Sequence, residues 1–487
     1  MNISIQKAKN GEETVSVDGH FLHSNYAPQK EAERFVENLQ LPYKPSLLIL
    51  TEPGLSFTAQ FLRTKFPELK IGVIRYIKDF ENYNSAFDFV INYFEHPNFE
   101  AYLEGRFTEE ELLTTVFITW PASAQIFKTE EGLVWNAIKA SMQRAKTLLI
   151  TRQYFEKKWF INSCNFLKYI KNVVSFNKQI EKDVLIISSG PSLIPFIETI
   201  KNNQDKFFII CLSSAISAAI SNNIIPDLFM STDGGYWAGE HLKVLKDYSI
   251  PAAMPSEAYC HKALLSKLKL LPLDYGDGLS AQLLRQAGIP FKKAVRNGTV
   301  SGTALLFAAQ YFTKNIYLCG LDLSSQTGFQ HTQPNQLEII ASLFDNRIKT
   351  KTLRLTRSEL TSGSLDIYRD WFINNPLNLP GRKVYRLIEK SRNSLGWIED
   401  INKSSFEKKA AEIPAGKKDF FEQLDFNNSV KAGTILFDDS ESWKKQLFPL
   451  DYVQLSHNPE NVEIINKIND SWTKLKTKAE GIFNDSL

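Results

Sequence analysis

The residues best placed to do chemistry lie in the middle third of the chain, where apolar runs end one after another in small or acidic polar residues. Asp183–Ile187 (DVLII) runs into Ser188-Ser189-Gly190-Pro191-Ser192-Leu193, and Phe207–Leu212 (FFIICL) into Ser213-Ser214. Leu228–Met230 leads to Ser231-Thr232-Asp233-Gly234-Gly235, and Asn315–Cys319 to Gly320-Leu321-Asp322. Gly190 permits a tight turn and close approach of a ligand. Pro191 suits the first helical position, and Ser188 or Ser189 can cap it. The amides of Ser192 and Leu193 would then face outward at the positive end of a helix, which is a site for phosphate. A plain strand-to-helix turn accounts for the same residues. Asn297–Thr303 presents Ser301, Gly302 and Thr303 at a second helix start. Several such ends in succession predict one crevice for a phosphate-bearing ligand at the carboxyl ends of a parallel sheet.

Of the seven histidines, His331 is the one that follows a core strand end, in the polar loop SSQTGFQHTQPN. An imidazole near neutrality suits a general base, although loop histidines are commonly just solvated. The lysine of the P-loop pattern is absent, which argues against an ordinary P-loop kinase or ATPase. There is no H-E-x-x-H, no Cys/His cluster and no G-x-S-x-G, so metalloprotease and hydrolase chemistry have no support and no metal ligands are predicted.

The elements that must position these residues fall into three zones. In residues 1–173, Ser46–Leu50, a glycine-containing loop, a helix over Phe57–Lys65 and a strand over Lys70–Ile77 form a βαβ unit. Val116–Trp120 and Thr147–Thr151 read as further strands flanking a helix over Leu133–Arg144, which predicts a small α/β domain. Its loop has one glycine, and its second strand ends in Arg75-Tyr76 where dinucleotide binders carry an acidic residue. A degenerate Rossmann-like scaffold without S-adenosylmethionine or NAD is expected. Residues 174–345 predict a central Rossmann-like, GT-A-like parallel sheet covered on both faces. Residues 346–487 predict a mainly helical C-terminal region with helices over Ser364–Asn374, Phe406–Ala411 and Asn461–Lys476.

The chain has 487 residues, 43% hydrophobic and 23% charged, with a formal net charge of +3. That balance does not suggest nucleic acid as a partner. No apolar h-region opens the chain and no apolar run approaches the ~20 residues of a membrane span, so a cytoplasmic protein is expected. Cys164, Cys211, Cys260 and Cys319 are widely spaced and read as reduced, structural thiols.

The runs VLIISSGPSL, PDLFMSTDGG and VSGTALLFAAQYFTKNIYLCGLDLS resemble the motility-associated factor (Maf) flagellin glycosyltransferases and their MptE-like relatives. So do VDGHFLHSNYAPQKEAERF, LLITRQYFEKKWFINSCNFL, SLDIYRDWF and RNSLGWIEDI, which extend the resemblance to about Ile401. The Gly-Pro-Ser loop is also similar to that of bacterial CMP-sialic-acid transferases. The resemblance implies transfer of a nonulosonic acid of the pseudaminic or legionaminic type from a CMP donor to Ser or Thr of flagellin, with inversion. It implies that Gly190, Pro191 and Ser192 hold the nucleotide phosphate. Ser189, Ser214, Asp233, Ser301, Gly302, Thr303 and Gly320 would complete the donor site. His331 would act as base, with Asp322 as the next candidate. A CMP-activated sugar is the implied co-substrate; no tightly bound cofactor is implied, and a divalent metal is possible without being required. The chain departs from the family pattern in having Ser189 where relatives have Asn, and in lacking their glycine-rich loop in the first domain. Two alternatives are a 6-hydroxymethylpterin pyrophosphokinase using ATP, with Asp233 and Asp274 or Asp277 on the metal, and a non-catalytic flagellin-binding or export factor.

Overall fold

Apolar runs of four to six residues without polar alternation bury both faces of a strand, which suits parallel sheets flanked by helices. The computed structural model of the chain describes residues 1–176, 178–324, 328–357, 363–390, 393–416, 419–426, 435 and 437–484. Ser325, Gln326 and Thr327 of the His331 loop, and Arg392 at the head of RNSLGWIEDI, lie outside the described residues.

The chain opens with an antiparallel meander of β1 (Ile3–Lys7), β2 (Glu13–Val17) and β3 (His20–Phe21). Next come β4 (Leu47–Thr51), β5 (Lys70–Arg75), β6 (Phe89–Asn92) and β7 (Thr115–Thr119), a parallel sheet of order β6-β5-β4-β7. The central sheet uses β8 (Asn172–Ser175), β9 (Val184–Ile187), β10 (Phe208–Leu212), β11 (Leu228–Met230), β12 (Ala252–Pro255), β13 (Lys269–Asp274) and β14 (Lys292–Lys293). β15 (Ile316–Cys319), β16 (Val384–Leu387), β17 (Glu399–Ile401) and β18 (Glu422–Gln423) complete it. Among the described residues its order is β17-β16-β15-β9-β10-β11-β12-β13-β8-β18, with β14 also on β13. Every pair is parallel except β8 with β18.

From β9 the chain moves one way through β10 to β13 and later the other way through β15 to β17. The strand order therefore reverses between β9 and β15, and the ligand crevice of such a sheet lies at the carboxyl ends flanking that reversal. Val184, Ile186, Phe208, Ile210, Ile316 and Leu318 bury one face with Ala304, Leu305, Phe307 and Ala308 of the helix Val300–Tyr311.

One expectation changes. Thr147–Thr151 is not a strand but the middle of one 42-residue helix, Lys128–Tyr169. Ala145 and Leu149, one helical turn apart, are buried, while Leu148 and Ile150 are about half exposed, so the apolar cluster TLLIT has helical rather than strand sidedness. The chain packs as two compact units, Met1–Glu156 with Asp439–Thr473, and Lys157–Asp438 with Lys474–Leu487. The region 346–487 also contributes β16 and β17 to the central sheet. Those strands were masked by Arg386, a charged residue only 1% exposed, whose guanidinium grips Asp400 through two 2.7 Å bonds. Among the described residues no helix is long and apolar enough to cross a membrane.

In the first unit the β4–β5 loop turns its polar groups inward. Leu55 N–H donates to His23 Nε2 at 3.0 Å, Ser56 N–H to the Pro53 carbonyl at 3.0 Å, and the Gly54 carbonyl accepts from Arg75 at 2.9 Å. His23 is 1% exposed, and burial, then the Arg75 charge, lowers it to about 3. The unfolded chain takes up that proton near the ordinary value of 6.5, so the stability is present above about pH 6.5 and is lost as pH falls toward 3. Between pH 7 and pH 5 this costs about 2 kcal/mol. Calorimetric unfolding at the two pH values should show that loss in the wild type and a smaller one in His23→Gln; equal losses would refute the assignment.

Candidate active site

The ends of β9 and β15 meet at backbone distance. Ser188 N–H donates to the Cys319 carbonyl and Gly190 N–H to the Gly320 carbonyl, both at 2.8 Å. Gly320 has φ +73°, and a Cβ there would lie 2.1 Å from the Ser188 carbonyl oxygen. A Cβ on Gly190 would lie 2.5 Å from both Asp322 Oδ2 and the Gly320 oxygen. Asp322 Oδ2 in turn accepts the Ser192 N–H at 3.0 Å, and the Leu193 N–H returns to the Gly190 carbonyl at 3.0 Å. The turn Pro191–Phe196 is a short 3-10 helix. The Ser192 amide expected to face a phosphate thus already holds the carboxylate of Asp322, and Gly190 is required first by the contact between two strand ends.

That contact has a consequence. Gly190→Ala should push Asp322 off the Ser192 amide and part β9 from β15, costing about 1–3 kcal/mol of stability along with ligand affinity. Thermal melting checks it; an unchanged melting temperature would mean the Cβ is accommodated.

The loop after β15 is laced to the same ends. Thr332 N–H donates to the Ser189 carbonyl at 2.6 Å, and its hydroxyl to the Gly190 carbonyl at 2.9 Å. Asn335, fully buried, donates to the Ser214 carbonyl at 2.9 Å and caps the helix Gln336–Ser342 through the amides of Leu337 and Glu338. Ser214 Oγ donates to Ser189 Oγ at 2.8 Å. The structure therefore brings Ser189, Gly190, Pro191, Ser192, Ser214, Gly320, Asp322 and His331 together. Thr332 and Asn335 were missed, although Asn335 before QLEIIAS carries a legible N-cap signal.

Asp233 is exposed, and its Oδ1 accepts the Gly235 N–H at 2.8 Å. Asn162, from the long helix, donates to the Gly234 carbonyl at 3.0 Å and the Glu257 carbonyl at 2.9 Å. The helix Tyr236–Leu242 that follows carries His241, 5% exposed, which no sequence motif marked. Burial, then the charge of His331, lowers His241 to about 4, against the pull of Asp233 and Glu240. His331 is itself held below the usual histidine range by partial burial, opposed by Glu338.

Ser301, Gly302 and Thr303 begin the helix Val300–Tyr311, where Thr299 Oγ1 accepts the Gly302 N–H at 3.0 Å and the Ser301 hydroxyl at 3.1 Å. The Ser301 hydroxyl and the Gly302 amide thus serve the helix's own cap. Asp274 pairs with Arg285 at 3.0 Å and Asp277 with Arg296 at 3.2 Å. Two of the three carboxylates weighed as metal ligands are thus held by cations, and no group of three or more His, Cys, Asp or Glu fit to hold a metal occurs among the described residues.

Folded chains leave few buried polar atoms unpaired. Here Ser192 Oγ, Ser231 Oγ, His241 Nδ1, Asp322 Oδ1 and His331 Nδ1 are buried without a hydrogen-bond partner, and all five belong to loops and a helix that follow the carboxyl ends of the central sheet. Hydroxyls, two imidazoles and a carboxylate thus follow the carboxyl ends of a sheet whose strand order reverses, the place where open α/β sheets hold their ligands.

Residues 157–328 match the family model described as 6-hydroxymethylpterin diphosphokinase MptE-like. The solved structure of the MAf glycosyltransferase from Magnetospirillum magneticum AMB-1 matches over 85% of this chain and 71% of that chain, with a TM-score of 0.51 and 15% identity. Two proteins of Treponema pallidum (strain Nichols), each described as uncharacterized, are also similar. One is 28% identical over 305 residues, 59% of this chain and 62% of the relative; the other is 26% identical over 114 residues, 23% and 53%. The chain therefore spans less than two thirds of the length of these relatives. The chain thus has a fold like that of the MAf glycosyltransferase, and its residues 157–328 are similar to the MptE-like family.

Proposed function

We propose that the chain is a glycosyltransferase that moves a nonulosonic acid from a CMP donor to Ser or Thr of flagellin. The observation that carries this reading is that Ser192 Oγ, Asp322 Oδ1 and His331 Nδ1 are buried without partners on the segments that follow β9 and β15, on either side of the strand reversal. The likeness in fold to the Magnetospirillum enzyme, over 85% of this chain, supports it.

In this reading the acceptor hydroxyl oxygen attacks the anomeric carbon as the bond from that carbon to the CMP oxygen breaks. The electron pair leaves with CMP, the proton passes to His331, and the sugar carbon inverts. Because Asp322 occupies the Ser192 amide, the donor phosphate meets the hydroxyls of Ser192, Ser189 and Ser214 instead. Gly320 and Asp233 border the site, and Ser301, Gly302 and Thr303 are its outermost members. The reading includes no tightly bound cofactor, leaves a divalent metal optional, and sets the reaction in the cytoplasm.

The match of residues 157–328 favours one second reading, a pyrophosphokinase that transfers pyrophosphate from ATP to a pterin. It requires a metal held by Asp233 with Asp274 or Asp277, and the second carboxylate would have to leave Arg285 or Arg296 to bind it. Calorimetry separates the two: CMP binding supports the transferase, and ATP binding that depends on magnesium supports the kinase. Binding of neither leaves a flagellin-binding factor. Mass spectrometry of flagellin from cells with and without this chain then tests the reaction, and identical flagellin masses would refute it.

A further inference from the structure

Glu338 stands in the first turn of the helix that Asn335 caps, with its side chain 14% exposed. One carboxylate oxygen, Oε2, accepts from Arg354 Nη1 at 2.7 Å. Arg354 in turn holds both oxygens of Asp345, at 2.9 and 3.0 Å, so Glu338 is anchored from behind. Its other oxygen, Oε1, lies 4.0 Å from His331 Nδ1, an atom that is buried and has no hydrogen-bond partner. His331 is fixed on its own side by Thr332, which bonds to Ser189 and Gly190. Both partners are thus tied to the ends of β9 and β10 by separate anchors, Thr332 for one and Asn335 for the other.

We infer that Glu338 is the positioning residue for His331, drawing its Nδ1–H into a hydrogen bond and stabilising the imidazolium. The inference rests on the reading of His331 as the base. A carboxylate on Nδ1 selects the tautomer that leaves Nε2 free to take the acceptor proton. A separation of 4.0 Å is longer than a hydrogen bond, and catalytic pairs commonly stand loose without substrate and tighten in the reacting complex. Three charged or titratable groups belong to this arrangement. Glu338 favours the charged form of the ring against burial, Arg354 stands behind the carboxylate, and His241 from the helix Tyr236–Leu242 is itself lowered by the charge of His331.

The test follows the ring signals of His331 by NMR titration in the wild type and in Glu338→Gln, with CMP calorimetry and single-turnover transfer on the same samples. Removing the carboxylate should move the His331 midpoint to lower pH by about 1. Transfer should slow about 10-fold with CMP affinity unchanged. The double variant Glu338→Gln/His331→Ala should be no slower than His331→Ala, and Glu338→Asp should recover part of the loss. If Glu338→Gln fails to fold, Glu338→Asp carries the same comparison with a smaller shift. A His331 midpoint that is identical with and without the carboxylate overturns the inference. A shifted midpoint in a protein whose wild type transfers no sugar keeps Glu338 as the partner of His331 and overturns the reading of His331 as a base.

Discussion

His331→Ala should lower the rate of sugar transfer by about 10²–10⁴-fold while CMP affinity stays nearly unchanged. A serine or threonine hydroxyl is a poor nucleophile at neutral pH, so the proton must be taken as the new bond forms. The leaving CMP needs no such help, because its phosphate already carries the departing charge. His331 is the crevice imidazole suited to this task. It is partly exposed, whereas His241 is 5% exposed and held near 4, too low to accept a proton effectively at neutrality. Asp322, the other candidate, spends Oδ2 on the Ser192 amide. Single-turnover transfer to flagellin, with CMP binding measured in parallel, reads both quantities. Transfer at the wild-type rate would make His331 a bystander and move the role to Asp322 or Asp233.

The second large effect is on folding. Arg75 and Glu52 are both fully buried in the first unit. Arg75 Nη1 meets Glu52 Oε1 at 2.8 Å, Nη2 meets Ser56 Oγ at 2.6 Å, and Nε meets Asn84 Oδ1 at 2.7 Å. Glu52 also accepts the Tyr76 N–H at 2.7 Å. Arg75→Met leaves that carboxylate buried without its cation and should destabilise the unit by about 3–5 kcal/mol. Adding Glu52→Gln should restore part of the loss, because it removes the stranded charge. Urea unfolding of the two variants decides the matter. A single variant as stable as the wild type would show that the pair contributes nothing.

The strands were legible where burial left its mark on both faces. Val184–Ile187, Phe208–Leu212 and Ile316–Cys319 are uninterrupted apolar runs, and no other element buries such runs so readily. β16 and β17 escaped notice because Arg386 is buried inside the pattern, its charge met by Asp400 on the neighbouring strand. Linear sequence cannot show a partner that arrives by pairing. Likewise Thr147–Thr151 looks like a strand until the buried turn Ala145–Leu149 sets its sidedness.

What the sequence by itself determined is the α/β class, the polar ends of the core strands, and the glycines at 190 and 320. Local periodicity and backbone freedom are properties of neighbouring residues, so they are written in the chain order. Only the tertiary structure decided that the strand order reverses between β9 and β15, because that depends on which distant strands pair. The same distant pairing places Asp322 on the Ser192 amide, 130 residues away, and turns an expected phosphate cradle into an occupied one. It also draws His241 and Glu338 toward His331, since electrostatic partners are selected by proximity in space and leave no spacing in the sequence.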